Sequence, residues 1–271
     1  MSVSRQSGKR LKPKWNIMIE LDKIYNQDCL EGMRQIPDGS IDAVICDLPY
    51  GTTDNPWDSV IPMDKLWEQY NRIVKPKGAI LLFGSEPFST IVRMSNLKSY
   101  RYDWVWEKGF PSNFMIANYQ PLKTFENVMV FGKESPNYYP IKRKRDKPIY
   151  KSKNSNNPGG ATTRITGKKV QEFEGKVYDD YMPEAIIHFN SRQDTSPHFH
   201  PTQKPVDLLR YLVLTYTNEG DTVLDNCMGS GTTAIACIKE KRHFIGFELS
   251  KEYFDKAQRR IKAEQAQLTL F

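Results

Sequence analysis

The sequence predicts an α/β fold in which helices cover a parallel or mixed β-sheet. Short apolar runs alternate with segments of helical spacing near both ends of the 271-residue chain, as is typical of such sheets. A glycine-rich turn joins one of these apolar runs to a helical segment. Hydrophobic residues make up 39% of the chain, which is enough for one sizeable core.

Two parts of the chain, residues 16–132 and 199–271, carry this alternation. The elements predicted in the first part are a strand at Ile41–Cys46, a helix at Met63–Val74 that stops before Lys75-Pro76-Lys77-Gly78, and strands at Ala79–Phe83, Trp104–Trp106 and Asn127–Phe131. The elements predicted in the second part are a helix at Pro205–Thr217, a strand at Thr222–Leu224, a helix at Thr232–Lys241, a strand at His243–Phe247 and a charged terminal helix at Glu252–Gln265.

Residues 133–198 differ in composition, since they are rich in Lys, Asn, Pro, Gly and Tyr and poor in aliphatic residues until Ile186. The chain has a net charge of +7, and residues 139–170 alone carry ten basic residues and one acid, or +9. The basic residues are Lys142, Arg143, Lys144, Arg145, Lys147, Lys151, Lys153, Arg164, Lys168 and Lys169. Such concentration favours an insertion that binds a polyanion, and a solvated loop is the alternative. The aperiodic stretch Lys151–Arg164 predicts a mobile loop.

The cysteines and the hydropathy of the chain bear on its compartment. Cys29, Cys46, Cys227 and Cys237 form no CxxC pair, and no His/Cys cluster has zinc-ligand spacing. We therefore expect buried thiols in a reducing compartment and no metal site. No apolar run reaches about 18 residues, and the N-terminus lacks the apolar core of a secretory signal, so we expect a cytoplasmic protein without a membrane span.

A glycine turn in the second part predicts a ligand site. The segment Val223–Thr233 runs from a strand through Gly229 and Gly231 into a helix, whose first N–H groups are free to bind a ligand. No lysine follows as in a P-loop, so an ATPase of that class is excluded. Asp225 suits a cationic amino group, and Glu248, after the next strand, suits ribose hydroxyls. The pair predicts a nucleoside ligand, although Glu248 alone could equally be a surface carboxylate.

A second motif, Asp47-Leu48-Pro49-Tyr50, directly follows the strand Ile41–Cys46. Ligands of open α/β sheets lie at the carboxyl ends of the strands. The Asp47 carboxylate and the Leu48 carbonyl can each accept a hydrogen bond from an amino group, while Pro49 stiffens the turn. Tyr50 offers a flat face for stacking. The motif thus predicts a cradle for an aromatic amine, and an ordinary strand-to-turn connection is the alternative.

These motifs together resemble those of the DNA amino-methyltransferases. Asp47–Tyr50 resembles their catalytic D-P-P-Y motif, and Val223–Thr233 resembles their cofactor loop D-x-F-x-G-x-G. His200–Pro205 (HPTQKP) resembles the segment that precedes this loop. The order of the motifs is that of the beta group, a circular permutation of the common fold. The resemblance extends over about residues 20–132 and 199–260.

Two positions depart from the family pattern. Leu48 replaces the first proline of D-P-P-Y, but the motif uses only the backbone carbonyl there, so we expect activity to survive. Cys227 replaces the phenylalanine of the cofactor loop, a residue that packs near the cofactor's adenine, so affinity for the cofactor is in doubt.

The resemblance implies a circularly permuted, Rossmann-like methyltransferase sheet with a basic target-recognition insertion. Its expected divisions are a catalytic half at 16–132, the insertion at 133–198, a cofactor-binding half at 199–266 and a tail at 267–271. The implied cofactor is S-adenosylmethionine. Asp28, at the end of a strand predicted at Ile24–Asp28, is expected to contact the adenine, and Glu248 the ribose. The other expected contacts, in and around the loop, are Thr202, Lys204, Asp225, Cys227, Gly229, Ser230, Gly231 and Thr232.

The implied activity is methyl transfer to an exocyclic amino group of a base flipped out of duplex DNA. Adenine N6 is favoured because Asp47 opens the motif, with cytosine N4, an RNA target and a catalytically inactive DNA binder as the alternatives. The basic residues of 139–170 would contact phosphates, and Ser112–Gln120 would touch the target strand. Gly51–Asp58 would form a loop over the site, with Trp57 either closing it or packing in the core.

Further partners are also expected. Gln267–Phe271 resembles the peptide by which bacterial replication proteins dock on the sliding clamp, and a frayed helix end is the alternative. The sequence leaves the oligomeric state open, and a homodimer is one candidate because members of the family are often dimers. The resemblance places the protein near the nucleoid of a bacterium, encoded by it or by its virus.

Overall fold

The computed structural model describes residues 19–51, 60–151, 176–190 and 203–268. The strands are β1 (Lys23–Tyr25), β2 (Ile41–Cys46), β3 (Val74–Gly84), β4 (Tyr100–Ser112), β5 (Lys123–Phe131), β6 (Arg143–Lys151), β7 (Lys176–Tyr181), β8 (Ile186–His188), β9 (Thr222–Asp225) and β10 (His243–Phe247). The helices are α1 (Cys29–Met33), α2 (Met63–Ile73), α3 (Phe88–Ser95), α4 (Val206–Tyr216), α5 (Thr232–Lys239) and α6 (Lys251–Leu268), with a 3-10 turn at Phe114–Ile116. Every strand and helix predicted above is present.

Eight of the strands form one mixed sheet, in the order β1-β10-β9-β2-β3-β5-β4-β8. The strands from β1 to β3 in this order are parallel to one another. β5 is antiparallel to both β3 and β4, and β8 is parallel to β4. The sheet confirms the predicted α/β class with mixed strand directions.

The two motif-bearing strands, β2 and β9, are neighbours in the centre of the sheet. Ala43 pairs with Val223, and Val44 pairs with Leu224. The strand of the first motif therefore precedes its neighbour along the chain yet lies beside it in space. That this order arose by circular permutation stays a prediction.

Apolar side chains fill both faces of the sheet, which explains why the central strands read as continuous apolar runs. On one face Ile45 packs with α4, α5 and α6 through residues such as Leu212 and Ile235. On the other face Val44 packs with α1, α2 and α3 through residues such as Tyr70. The helices thus form two layers, one on each face of the sheet, and the candidate site lies at the edge of the sheet.

Among the described residues, no helix is long and apolar enough to cross a membrane.

The sequence analysis missed α1 and misplaced Asp28, which it put at the end of a strand. β1 ends at Tyr25, and Asp28 instead caps α1 by accepting hydrogen bonds from the backbone N–H groups of Leu30 (2.9 Å) and Glu31 (3.1 Å). Asp28 is a favoured N-cap residue because its side chain satisfies N–H groups that a helix leaves free. A five-residue helix is too short to show periodicity.

The region predicted as a basic insertion is attached to the main domain at both ends. The backbone N–H of Tyr139 donates to the Thr215 carbonyl (2.8 Å), and β8 pairs with β4 in the main sheet. Between them, β6 and β7 form a separate antiparallel ribbon. The sequence analysis missed the ribbon because most of its residues are polar and exposed, so no apolar alternation marks it. Residues 152–175, which hold most of the predicted mobile loop, lie outside the described residues.

Candidate active site at the carboxyl edge of the sheet

Three parallel strands end at one edge of the sheet, and an acidic residue lies at or just after each end. Asp47 follows β2, Asp225 ends β9 and Glu248 follows β10. They surround one cleft of about 1270 Å³, counting the part open to solvent. The other residues of the predicted site that line this cleft are Asp28, Leu48, Pro49, Tyr50, Lys204, Cys227, Gly229, Ser230 and Thr232. The two motifs therefore line one shared cavity.

The glycine loop turns tightly between β9 and α5. Gly231 is the N-cap of α5 with φ of +78°, a left-handed conformation that favours glycine. The backbone N–H of Met228 donates to the Phe247 carbonyl (2.8 Å), which fixes the loop against β10. The loop thus holds the N-terminus of α5 at the cleft.

Asp225 is buried beneath the glycine loop, with only 5% of its surface exposed. Its carboxylate accepts hydrogen bonds from the backbone N–H of Cys227 (3.1 Å) and the hydroxyl of Thr233 (2.6 Å). Burial raises the pKa of this carboxyl to about 6. A buried carboxylate with lone pairs still open to the cleft suits a cationic ligand group.

Glu248 connects the glycine loop to the strand beside it. Its carboxylate accepts from the backbone N–H groups of Gly229 (2.7 Å) and Ser250 (2.8 Å). Burial raises the pKa of the Glu248 carboxyl, although these hydrogen bonds oppose the rise. The residue therefore holds the loop in place and lines the cleft.

The Asp47–Tyr50 motif is held together by its own side chains. The Tyr50 hydroxyl donates to Oδ1 of Asp47 (2.8 Å), and its ring stacks on Phe88, with centroids 4.7 Å apart and planes at 25°. Phe88 begins α3 and was not predicted as a site residue. The Leu48 side chain is buried in the core, which leaves the backbone of the motif at the cleft.

Lys204 lies on the Asp47 side of the cleft. Its ammonium forms an ion pair with Oδ2 of Asp47 and lies 3.6 Å from a carboxylate oxygen of Glu126. Glu126, on β5, also pairs with Lys108 of β4 at 3.2 Å. The sequence analysis expected Lys204 beside the cofactor and did not identify Glu126. The one available signal was a charged residue directly before the apolar run Asn127–Phe131.

The charges of this cluster stabilise one another. Burial raises the pKa of the Asp47 carboxyl, and the Lys204 cation opposes that rise. Burial lowers the pKa of Lys204, but Asp47 and Glu126 together raise it above its ordinary value. Burial likewise disfavours ionised Glu126, but Lys204 and Lys108 bring its pKa below the ordinary range. Lys204 is therefore a cation shared between two carboxyl groups.

The cysteines are free, and three of the four are buried, as predicted for structural thiols. Cys29 and the partly exposed Cys227 line the cleft near Asp28. A hydrogen bond with Cys227 and burial raise the pKa of Cys29 far above its ordinary value. This thiol is thus uncharged and unreactive at neutral pH.

Six of the ten predicted DNA-binding residues are described, and they lie on or directly before strand β6 of the β6–β7 ribbon. Lys144 pairs with Asp179 (2.8 Å) and Asp180 (3.0 Å) of β7, and Lys142 lies 3.6 Å from Asp180. The guanidinium groups of Arg143 and Arg145 lie over the Tyr181 ring, at 5.3 and 3.7 Å from its centroid. Two acids therefore offset part of the basic charge, which the sequence analysis did not anticipate.

Several predicted site residues lie outside the described part of the chain. They are Thr202, Trp57 with most of the predicted loop Gly51–Asp58, the basic residues Lys153, Arg164, Lys168 and Lys169, and the last three residues of the expected clamp-binding tail. The backbone of Lys151 ends β6, and Lys147 lies exposed on that strand.

Comparison with known proteins gives a consistent family. A family model described as DNA methylase matches residues 41–259. The chain is 28% identical over 271 residues to the type II methyltransferase M.BglII of Bacillus subtilis. This alignment covers 90% of this chain and 70% of that protein. The type II methyltransferase M.HpaI of Haemophilus parainfluenzae is 28% identical over 255 residues, covering 89% of this chain and 74% of that one.

A solved structure gives the same fold. The PvuII DNA methyltransferase, described as cytosine-N4-specific, superposes with a TM-score of 0.61 at 16% identity over 89% of this chain and 90% of that one. This likeness confirms the predicted methyltransferase sheet.

Proposed function

This chain belongs to the N6/N4 DNA methylase family, and on that premise we propose that it methylates adenine N6 in double-stranded DNA with S-adenosylmethionine as methyl donor. One observation carries the proposal. The Asp47 carboxylate, bonded to Tyr50 and Lys204, shares a cleft with Asp225 and Glu248. The cleft thus combines a cradle for an aromatic amine with a pocket for a cationic nucleoside.

The residues of the pocket fit S-adenosylmethionine. This cofactor supplies an electrophilic methyl group on a positively charged sulfonium. The buried Asp225 carboxylate suits its ammonium group, and Glu248 suits its ribose hydroxyls. The N-terminus of α5 suits its carboxylate, because free N–H groups and the helix dipole favour an anion there. Asp28 uses one oxygen to cap α1 and keeps the other for the adenine amino group.

The Asp47–Tyr50 motif would hold the target base. A base within the duplex cannot reach the cleft, so the enzyme extrudes it, at a cost of a few kcal/mol. Tyr50, braced from one side by Phe88, would stack on the extruded base. The Asp47 carboxylate and the Leu48 carbonyl would each accept one amino hydrogen. These two bonds would orient the amino nitrogen for transfer and would stabilise the positive charge that develops on it.

Lys204 would keep Asp47 ionised and oriented before the base arrives. Its ion pair and the hydroxyl of Tyr50 occupy both carboxylate oxygens. Each oxygen has a further lone pair for the amino group, so these bonds orient Asp47 without blocking it. Glu126 offers the ammonium a second partner, which limits how far Lys204 neutralises Asp47.

The choice of adenine rests on the aspartate that opens the motif. In the DNA amino-methyltransferases, an aspartate at this position accompanies adenine targets more often than cytosine targets. Cytosine N4 is the alternative, since its amino group offers the same two hydrogens to Asp47 and Leu48. Exposed cations of β6, including Lys147, would neutralise phosphates of the duplex, so affinity for DNA would fall steeply with salt.

The test is transfer of tritium from labelled S-adenosylmethionine to bacterial DNA that lacks methylation, followed by digestion to nucleosides. We expect label in N6-methyladenine, and its loss in Asp47→Ala. Asp64→Ala is the matched control, because Asp64 is exposed at the start of α2 and should leave transfer unchanged. Label in N4-methylcytosine would keep the family and overturn the base. A parallel reaction with total bacterial RNA tests the other nucleic acid, and label in RNA with none in DNA would overturn the DNA substrate.

A further inference from the structure

The hairpin between β4 and β5 extends past the sheet on the side of the active site. β3 pairs with β5 only as far as Gly84 opposite Asn127, where β3 ends. β4 and β5 continue to pair beyond that point, up to Ser112 opposite Lys123. Because β2 and β3 are parallel, their carboxyl ends share one edge, the edge that holds Asp47. The hairpin tip, residues 113–122, therefore projects from the catalytic edge.

The tip exposes large apolar side chains. Phe114 is 60% exposed, Met115 is 98% exposed and Tyr119 is 89% exposed. Three such side chains within six residues form an exposed apolar patch, which in a soluble domain marks a contact surface.

The backbone of the tip is ordered by its own hydrogen bonds. Ala117 N–H donates to the Phe114 carbonyl (3.2 Å), and Tyr119 N–H donates to the Ile116 carbonyl (2.9 Å). Asn113 begins the turn in the left-handed region, with φ of 67°. The apolar side chains are thus presented on a defined turn, which lowers the entropy cost of inserting them into a partner.

The stem of the hairpin is linked to the catalytic cluster. Lys108 of β4 donates to the Ser112 hydroxyl and to Glu126, both at 3.2 Å. Glu126 in turn lies beside Lys204, which binds Asp47. A connected set of side chains therefore links the base of the tip to the Asp47 carboxylate.

The composition of the tip fits DNA. The tip itself, residues 113–122, contains no acid, so it carries no negative side chain that would repel a polyanion. Its exposed amides, Asn113, Asn118 and Gln120, are groups that bond to base edges. Phe and Met are among the side chains that proteins insert between base steps as wedges.

We propose that Phe114 and Met115 form a wedge that enters the duplex beside the target base and fills the gap left when that base is extruded. This inference rests on the proposed function. An extruded base leaves its former partner unstacked, and an apolar side chain in the gap restores part of the lost stacking. The wedge would thereby lower the free-energy cost of extruding the base. This benefit arises only where the target base is paired, because only then does extrusion leave an unstacked partner.

The test compares Phe114→Ala/Met115→Ala with the wild type on two oligonucleotide duplexes that carry the methylated sequence mapped in the wild-type product. One duplex is fully paired, and the other has an abasic site opposite the target base. We expect the variant to lose about 10- to 100-fold in kcat/KM on the paired duplex and to come within about threefold of wild type on the abasic one. Met94→Ala is the matched control, an exposed methionine on α3 that should leave both values unchanged.

Two results would overturn the wedge. An equal loss on both duplexes would make the tip a simple DNA contact, and no loss on either would remove it from the reaction. Circular dichroism and thermal unfolding check that the variant folds. We expect it to fold, because both replaced side chains are exposed. Wild-type transfer to the paired duplex reports the proposed function independently, so its failure is distinct from a failure of the wedge.

Discussion

The ammonium of Lys204 bonds directly to the carboxylate of Asp47, although 157 residues separate them in the sequence. Glu126 lies on the other side of the same ammonium, at 3.6 Å. One cation thus serves two carboxyl groups, of which only Asp47 belongs to the catalytic motif. Substitutions at Lys204 and Glu126 should therefore shift the pH dependence of transfer in opposite directions.

Lys204→Met should move the acid limb of the transfer rate to higher pH and lower kcat by about 10- to 100-fold. Without the cation, burial and the charge of Glu126 raise the pKa of Asp47 and only the hydrogen bond from Tyr50 still opposes the rise, so the carboxylate protonates at a higher pH. The measurement is the single-turnover rate of methyl transfer from pH 5 to 9. Lys204→Arg, which keeps a cation, should retain most of the wild-type profile. A Lys204→Met profile that coincides with wild type would contradict the role given to this ion pair.

Glu126→Gln should extend activity to lower pH. Glu126 raises the pKa of Asp47 as a like charge, so its removal lowers that pKa and keeps Asp47 ionised in more acidic solution. The same pH series measures the shift. Glu107→Gln, at an exposed glutamate of the neighbouring strand β4, is the control and should leave the profile in place. A shift toward higher pH would show that Glu126 acts on Asp47 by some other route.

Affinity for S-adenosylmethionine should weaken as the pH falls below about 6. Burial places the pKa of Asp225 at about 6, so below that pH the carboxyl is neutral and loses its attraction for the ammonium of the ligand. Since one proton competes with binding, Kd should rise about tenfold for each pH unit below that point. Calorimetric titration from pH 4.5 to 7 measures it. Asp225→Asn should bind more weakly with little dependence on pH, and a wild-type Kd constant over this range would contradict the assignment.

Tyr216→Phe should destabilise the fold. The Tyr216 hydroxyl is buried and accepts a hydrogen bond from the Trp104 indole N–H (2.6 Å). Its loss leaves that N–H unsatisfied, at a cost of about 1–3 kcal/mol, which lowers Tm by about 2–10 °C. Thermal unfolding followed by circular dichroism checks this. Tyr102→Phe removes a partly exposed hydroxyl that also contacts Tyr216, and should change stability by less than about 0.5 kcal/mol. Equal Tm values for the two variants would refute the argument.

Asp179→Asn should strengthen binding to DNA. Asp179 pairs with Lys144 on the β6–β7 ribbon, and its removal frees part of that cation for a phosphate. We expect a few-fold lower Kd and a salt slope steeper by up to about one unit. Fluorescence anisotropy with a labelled duplex at several salt concentrations gives both values. Asp255→Asn, on α6, is the control. Unchanged binding by Asp179→Asn would argue that the ribbon faces away from DNA.

Much of the site could be predicted because its residues follow strands that the apolar pattern reveals. Asp47 comes directly after Ile41–Cys46, and Glu248 comes directly after His243–Phe247. Parallel strands bring such positions to one edge whatever the length of chain between them. The prediction therefore needed only the strands and their direction.

The contacts of Lys204 and Glu126 could not be predicted in the same way. Glu126 reaches the catalytic edge because β5 is antiparallel to β3, and periodicity carries no information about strand order. The two strands of the β6–β7 ribbon could not be predicted for another reason. Most of their residues are polar, and apolar ones such as Ile149 and Val177 are exposed, so no buried apolar face marks the ribbon in the sequence.

The pairing of Ala43 with Val223 affects how the chain folds during its synthesis. The two residues are 180 positions apart, and a ribosome adds about 5–20 residues per second, so β2 waits roughly 10 to 35 s for its neighbour β9. During that time the nascent first half has an open strand edge in what becomes the centre of the sheet. Such an edge invites pairing with other chains. The fraction of chains that reach the native sheet therefore depends on how rapidly β9 pairs with β2, or on shielding of the open edge by a chaperone.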